Sequence, residues 1–315
     1  MSNHVGVLFI GDPHLASRAP GFRKDDYPRT ILAKLQYAIS YARENALLPV
    51  LLGDLFDFPR DNANWLLVAL HDLLDRGTLA IYGNHDCKEN TPGDNDTISV
   101  LRAAGTLRFL SSDSLWSGTM NGCTVVVGGT CWGQSLPESF DCSAYQNGQR
   151  CFVLWATHHD LRFPGYEESG RSNCGQVPGI DLVVNGHIHR DLGQVVAGTT
   201  TWLNPGNLTR IARSDASRAH VPGMLRVNVS AAGLACERVT VPHEPFDSVF
   251  HPEVQSVIEE TQQSGFIQGL AKLLAVRTAS GAGLRSFLDD NLGTFEPAVA
   301  AEINRLAEEV LNNGK

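Results

Sequence analysis

Along the chain, short runs of Val, Ile and Leu alternate with longer segments in which apolar residues return every three or four positions, a pattern that predicts an α/β fold. Residues 5–10 read as the first buried strand. Residues 28–45 read as a helix, because Ile31, Leu32, Leu35, Ile39 and Ala42 fall on one face. A second strand is expected at 47–52, an amphipathic helix at 64–75, a short strand at 79–82, and a third helix at 97–104 stopped by Gly105. Beyond Phe109 the character changes. Apolar stretches at 123–127, 151–157, 181–184, 193–196, 201–203 and 224–229, divided by Gly, Asn and Pro turns, predict mostly strands. Two packed sheets with helices outside accommodate this order, and no internal repeat or Gly/Ser linker interrupts it.

The end of the chain has helical spacing again, at 252–263, 266–276, 284–292 and 296–312. A large domain over 1–245 with a small C-terminal helical appendage over 246–315 is therefore expected. In the last segment Val299, Ile303, Leu306 and Val310 form an apolar stripe opposite Glu302, Arg305 and Glu309, with Pro297 in the first turn, where a missing N–H costs little. The stripe reads as packing on the parent domain, with a partner-binding surface as the alternative.

Composition narrows the class. A chain of 315 residues with 43% hydrophobic content can bury a sizeable core. No run approaches the roughly 18 apolar residues of a membrane span, and residues 1–10 lack a basic stretch ahead of an apolar one, so a cytoplasmic protein without a membrane partner is expected. The seven cysteines are odd in number and never spaced C-x-x-C, which fits a reducing compartment better than a zinc ribbon. A net charge of −9 argues against coating nucleic acid through bulk positive charge, but excludes no phosphate substrate.

The residue types at the strand ends change the picture most. Asp12 and His14 follow the first strand, spaced D-x-H; Gly53, Asp54 and Asp57 follow the second, spaced G-D-x-x-D; Gly83, Asn84, His85 and Asp86 follow the third. His158, His159 and Asp160 come after 151–157, and Gly186, His187 and His189, spaced G-H-x-H, after 181–184. Hard and borderline divalent ions take carboxylate oxygens and imidazole nitrogens as ligands. In open α/β sheets, ligands bind beyond the carboxyl ends of strands, so clusters dispersed in sequence can converge. Each cluster alone is more often a solvated loop or a satisfied core residue; their succession is not. The glycines at 53, 83 and 186 are expected where the chain leaves a strand at backbone angles open only to Gly.

This ordered series resembles the calcineurin-like metallophosphoesterase superfamily over about residues 5–210. The resemblance implies a four-layer α/β/β/α sandwich with a dinuclear metal site between the loops of two sheets. It implies that Asp12, His14 and His189 hold one ion, that Asn84, His158 and His187 hold the other, and that Asp54 bridges both. It further implies that His85 is a catalytic histidine outside the ligand set, oriented by the carboxylate of Asp57. Two such ions, about 3.5–4 Å apart, activate a water and clamp the phosphoryl oxygens. Mn2+ leads as the expected metal, with Fe, Zn or Co as alternatives. His159 and Asp160 read as an exposed loop pair, with support of a ligand as the alternative.

Within the superfamily, residues 11–35 and the run Asn204-Pro205-Gly206-Asn207-Leu208-Thr209-Arg210 resemble the DNA repair exonuclease branch, the Mre11/SbcD-like nucleases. That branch has a Tyr-Pro-Gly-Ser segment after G-H-x-H; here Asn204 and Asn207 stand in place of the Tyr and Ser. Arg18, Arg23, Lys24 and Arg29 follow the first motif, and Arg210, Arg213 and Arg218 follow the last. If these loops border the metals, Arg18, Arg23, Lys24 and Arg210 form a phosphate-binding rim; the alternative is solvated loops. Residues 246–315 carry ten acidic and five basic side chains, a poor DNA surface. No P-loop pattern is present, so any ATP-driven step requires a separate ATPase partner. The expected function is a two-metal phosphoester hydrolase, a phosphodiesterase or nuclease acting on DNA. The alternatives are a phosphatase or cyclic-nucleotide phosphodiesterase on a small substrate and, from another class, a non-catalytic scaffold, against which the full ligand set speaks.

Overall fold

A computed structural model of the chain describes residues 4–20, 22–146 and 148–251. The chain divides into two units, Met1–Pro252 and Glu253–Lys315. The helices expected at 252–263, 266–276, 284–292 and 296–312, and the apolar stripe of the last, lie outside the described residues.

The first unit opens with β1 (Gly6–Ile10), α1 (Tyr27–Glu44), β2 (Leu47–Leu52), α2 (Asn64–Leu73), β3 (Thr78–Ile81), α3 (Thr97–Ala103) and β4 (Leu107–Phe109). It continues with β5 (Trp116–Met120), β6 (Cys123–Thr130), β7 (Cys151–Thr157), β8 (Leu161–Arg162), β9 (Ser172–Asn173), β10 (Leu182–Asn185), β11 (Asp191–Ala197) and β12 (Thr200–Pro205). It closes with α4 (Asp215–Ala219), β13 (Gly223–Ser230), β14 (Gly233–Thr240) and α5 (Phe246–Val249). Helix α1 starts where Asp26 accepts the Arg29 N–H at 3.3 Å and Pro28 occupies the first turn. Its apolar face, Ile31, Leu35, Ala38, Ile39 and Ala42, is buried, and the chain leaves it through Ala46 at φ 51°.

Two six-stranded sheets result, in the orders β14-β13-β1-β2-β3-β4 and β11-β12-β10-β7-β6-β5. In the first, β1 to β4 run parallel and β13 and β14 are antiparallel additions. In the second, β6, β7, β10 and β12 run parallel between antiparallel edges β5 and β11. Parallel neighbours end on the same side, which gathers the loops after β1, β2 and β3, and likewise those after β7 and β10.

Side-chain alternation divides the second sheet cleanly. Val125, Val127, Leu154, Ala156, Leu182 and Val184 join the large core shared with the first sheet and with α1, α2 and α3. Val126, Val153, Trp155 and Val183 point the other way, into a second core with Leu161, Phe163, Ile180 and Trp202. Both faces are therefore buried, as continuous apolar strands require. The expected two-sheet α/β architecture is present. Among the described residues, however, the outer face of the second sheet is covered by irregular chain that includes Leu136, Phe140 and Tyr166, where a regular helical layer would stand in the idealised sandwich. Strands β5 and β14 are not announced by the hydrophobic pattern, because both are edge strands with mixed exposure and no apolar run. Among the described residues no helix is long and apolar enough to cross a membrane.

Candidate metal centre

The loops that follow the parallel strands meet. Asp12, His14, Asp54 and His189 bring one ligand atom each to within 4.8 Å of one another, and so do Asp54, His158 and His187, with Asp54 common to both sets. Asn84 joins the second set, its Oδ1 lying 2.9 Å from His187 Nδ1 and 3.3 Å from His158 Nε2. Asp57 and His85 sit beside the first set, with His14. All nine of these sequence-predicted residues are thus brought to one place.

The glycines serve the site differently from expectation. Gly53 does adopt a left-handed angle, φ 92°. Gly83 and Gly186 do not; a Cβ on Gly83 would run into the Asp54 carboxylate and the His158 ring, and one on Gly186 would lie 2.9 Å from His158 Nδ1. Close approach of backbone to ligand, rather than a special angle, is what those two positions require. The left-handed angles fall instead on the ligands themselves: Asp12 (φ 39°), His14 (φ 48°), Asp54 (φ 46°) and His187 (φ 68°). Such backbone costs about 1–3 kcal/mol per residue and persists where surrounding bonds impose it. Here the His187 N–H donates to Asp12 Oδ1 at 2.8 Å, the His85 N–H to Asp54 Oδ1 at 2.8 Å and the His14 N–H to the Asp54 carbonyl at 2.9 Å.

Two of the inward histidines, His158 and His187, are held by their outer nitrogens. His158 Nδ1 donates to the Leu52 carbonyl at 2.7 Å, leaving Nε2 toward Asp54 Oδ2 at 3.2 Å. His187 Nε2 faces Asp160 Oδ1 at 2.7 Å, leaving Nδ1 toward Asn84. His14 Nδ1 lies 3.4 Å from Asp57 Oδ1, leaving Nε2 toward His189 Nε2 at 2.9 Å. Outer partners of this kind fix the tautomer of a ligating imidazole and raise its basicity. The carboxylate of Asp57 therefore serves His14 first. His85 Nδ1 is anchored at 2.8 Å by the Asp57 main-chain carbonyl, with the carboxylate 3.9 Å away.

The donor set fits divalent cations. Asp12 is fully buried, and among the described residues its Oδ2 has no hydrogen-bond partner. Two imidazole nitrogens 2.9 Å apart, as in His14 and His189, repel unless a proton or a cation lies between them. Burial pushes the Asp12 carboxyl up to about 6 against the pull of His158. Burial lowers His158, yet Asp54 and Asp12 carry it to about 9. Burial raises Asp54, but His158, His14 and His85 more than reverse it and hold the carboxyl below the usual carboxylate range. The buried carboxylates demand positive charge, which protonated histidines or divalent ions both provide.

The four expected rim residues divide into two buried and two exposed. Arg23 is only 7% exposed; Nε and Nη2 grip Asp25 at 2.7 and 2.6 Å, Nη1 donates to the Arg210 carbonyl at 2.7 Å, and the guanidinium lies 4.9 Å from the Tyr27 ring centre. Arg210, also 7% exposed, donates to the carbonyls of His220 at 2.8 Å and Glu244 at 3.0 Å. Both guanidiniums tie loops together. Lys24 is exposed and donates to the Asp247 carbonyl at 2.8 Å. Arg18 is exposed, its guanidinium 5.4 Å from the Phe58 ring centre.

Three supports stand outside the expected ligand and catalytic set. Asn185, the last residue of β10, is 1% exposed and bonds to Thr157, to both the N–H and the carbonyl of His159, and to Asn204, locking the loops after β7 and β10. Its place directly before G-H-x-H was the available signal. Asp160 is the partner of His187 rather than an exposed loop residue, whereas His159 Nε2 reaches the Gln134 carbonyl at 2.8 Å. Trp132 stacks on the His187 ring at 5.1 Å and 30°, with no local signal to predict it.

A cleft of about 420 Å³ adjoins the centre, with His85, His187, His189, Tyr166, Arg190 and Asn207 among its lining residues. His85 is 41% exposed along its side chain.

The family model described as calcineurin-like phosphoesterase matches residues 6–191. Among solved structures, the sulfate thiohydrolase SoxB of Thermus thermophilus in complex with glycerol is similar at 14% identity and a TM-score of 0.39, over 76% of this chain and 54% of that one. This chain thus spans about half the length of SoxB. A hypothetical protein from Thermus thermophilus is similar at 12% identity and a TM-score of 0.41, over 75% of this chain and 99% of that one. A conserved uncharacterized protein, titled a predicted phosphoesterase, from Streptococcus pneumoniae is similar at 12% identity and a TM-score of 0.32, over 78% and 94% respectively. No curated protein sequence matches the chain.

Proposed function

Given that the chain belongs to the calcineurin-like phosphoesterase family, we propose that it hydrolyses phosphodiesters at a dinuclear centre. Asp12, His14, Asp54 and His189 would hold one ion and Asp54, Asn84, His158 and His187 the other. The observation that carries this reading is the convergence of two ligand sets on the one shared, buried carboxylate of Asp54. Two divalent ions supply Lewis acidity toward the phosphoryl oxygens and a nucleophile at neutral pH. The mixed oxygen and nitrogen donors suit Mn2+, with Fe, Zn or Co as alternatives.

The chain's own chemistry centres on His85. Its Nδ1 proton is committed to the Asp57 carbonyl, so Nε2 is the atom left to give a proton to the departing ester oxygen. The Asp57 carboxylate lies 3.9 Å from that same Nδ1. General acid help of this kind is worth about 10²–10⁴ in rate.

The cleft beside His85 has the volume of a small-ligand pocket. Tyr166 and Ile211 offer it apolar surface, and Arg190 is the one cation among its lining residues. This favours a diester no larger than a nucleotide. A DNA end is the second reading, supported by the exposed pair Arg18 and Phe58 beside Asp57, because bases stack on aromatic rings while arginine takes phosphate. On that reading a separate ATPase partner and a cytoplasmic location are further proposals.

The test is to assay Mn2+-loaded protein on bis(p-nitrophenyl) phosphate, cyclic nucleotides, and single- and double-stranded DNA over a range of salt. Hydrolysis of the small diesters, lost on chelation, is expected. DNA cleavage as fast as theirs, with a log–log salt slope near −0.9 per phosphate contact on duplex, would move the substrate to DNA. Failure on every phosphoester with two ions bound would remove the reading.

A further inference from the structure

Three asparagines near the centre, Asn185, Asn204 and Asn207, are each 1% exposed. Two are saturated with hydrogen bonds: Asn185 as described above, and Asn204 through Nδ2 to the carbonyls of Ile188 at 2.8 Å and Arg190 at 2.7 Å and through Oδ1 to Asn185. Asn207 differs. Among the described residues neither its Nδ2 nor its Oδ1 has a partner, although it lines the cleft that holds His85, His187 and His189. A buried amide left unpaired costs about 1–3 kcal/mol, and such groups persist where something else completes them.

The backbone of Asn207 is fixed on both sides. Gly206 before it takes φ 77°, the Leu208 N–H after it donates to the Gly11 carbonyl at 3.2 Å, and its own carbonyl accepts from His220 Nε2 at 3.0 Å and from the Gly223 N–H at 3.2 Å. A Cβ built on Gly11, the residue before Asp12, would lie 3.7 Å from the Asn207 Cα. The backbone of Asn207 is therefore clamped against the first metal loop.

We propose that Asn207 is a substrate-binding residue whose Nδ2 donates to a non-bridging phosphoryl oxygen of the substrate; this rests on the phosphoesterase reading and adds a fixed donor to it. Its backbone is held by main-chain bonds, so only the side-chain torsions adjust when an anionic oxygen arrives. It supplies a hydrogen bond without a second cation in a cleft lined by one arginine.

Inorganic phosphate is the probe, titrated by calorimetry into the full-length, metal-loaded protein, with bis(p-nitrophenyl) phosphate for turnover. Asn207→Ala should weaken phosphate binding about ten- to hundred-fold, the worth of a hydrogen bond to a charged group. It should keep two ions per chain and leave the melting temperature of the metal-free protein unchanged or raised, because an unsatisfied group is removed. Asn207→Asp should weaken phosphate binding further by placing a carboxylate against the anion. The inference is overturned if Asn207→Ala binds phosphate as the parent does, or if its metal content falls, which would make Asn207 a ligand. A lower melting temperature with unaltered phosphate affinity would mean a structural role and would overturn it equally. If the parent binds two ions but neither phosphate nor any phosphoester, the phosphoesterase reading falls and takes this inference with it.

Discussion

Two sets of charged residues flank the same loops, and they have opposite fates. The metal-facing set ends in atoms with unmet demands: Asp12 Oδ2 without a partner, and the His14 and His189 nitrogens turned toward each other. The basic set ends in atoms whose demands are met internally, with Arg23 closed on Asp25 and Arg210 closed on two carbonyls. Both sets look alike in sequence, as polar residues in loops after apolar runs. The difference teaches that saturation of a side chain's hydrogen-bonding capacity, more than its charge, separates a binding group from a structural tie.

The comparison breaks most visibly at Asp54. Asp54→Ala should lower turnover by about three orders of magnitude or more and strip more metal than any other single ligand change, because this carboxylate alone belongs to both ligand sets. Mass spectrometric metal analysis checks it; two ions per chain in the variant would end the bridging assignment.

Arg23→Met is the counterpart on the basic side. It should destabilise the fold by about 1.5–3 kcal/mol, because it leaves half-buried Asp25 and the Arg210 carbonyl without their partner, while activity per folded molecule holds. Denaturant titration beside a small-diester assay measures both quantities. Unchanged stability with lost DNA affinity would restore Arg23 to a substrate rim.

His220 sharpens the same contrast through pH. Burial, with Arg238 and Arg210 nearby, pulls its pKa to about 4 although the Asn207 carbonyl opposes this. Between the unperturbed value of 6.5 and about 4 the unfolded chain takes up a proton that the folded chain refuses. The clamp on the basic loops should therefore weaken as pH falls through that window, by about 3 kcal/mol. Subtracting the stability profile of His220→Gln from that of the parent isolates the effect; a flat difference would contradict it.

Asp160→Asn probes the outer shell of the metal-facing set. Losing the charge beside His187 Nε2 should cost about 10- to 100-fold in metal affinity with little change in stability. An unaltered affinity would reduce Asp160 to the loop residue that its sequence context suggests.

Much of this was legible along the chain for a physical reason. Strands β2 and β7 fall at 47–52 and 151–157 as the apolar runs predict, because a strand buried on both faces has no choice but continuous hydrophobicity. The ligands were legible because each stands at the carboxyl end of such a run, where parallel topology sends every loop to one side. Edge strands β5 and β14 were not, since a strand solvated along one side carries no such constraint. What only the tertiary structure decided is which polar atoms are already spoken for. Asp25 sits two residues from Arg23, but the carbonyls that complete the tie come from Arg210, and those that hold Arg210 come from His220 and Glu244. His85 depends on the carbonyl of Asp57 instead of its carboxylate, and Asn207 is distinguished from Asn185 and Asn204 by partners it lacks. Hydrogen-bond saturation is a property of three-dimensional neighbours, and motif spacing along a chain carries no record of it.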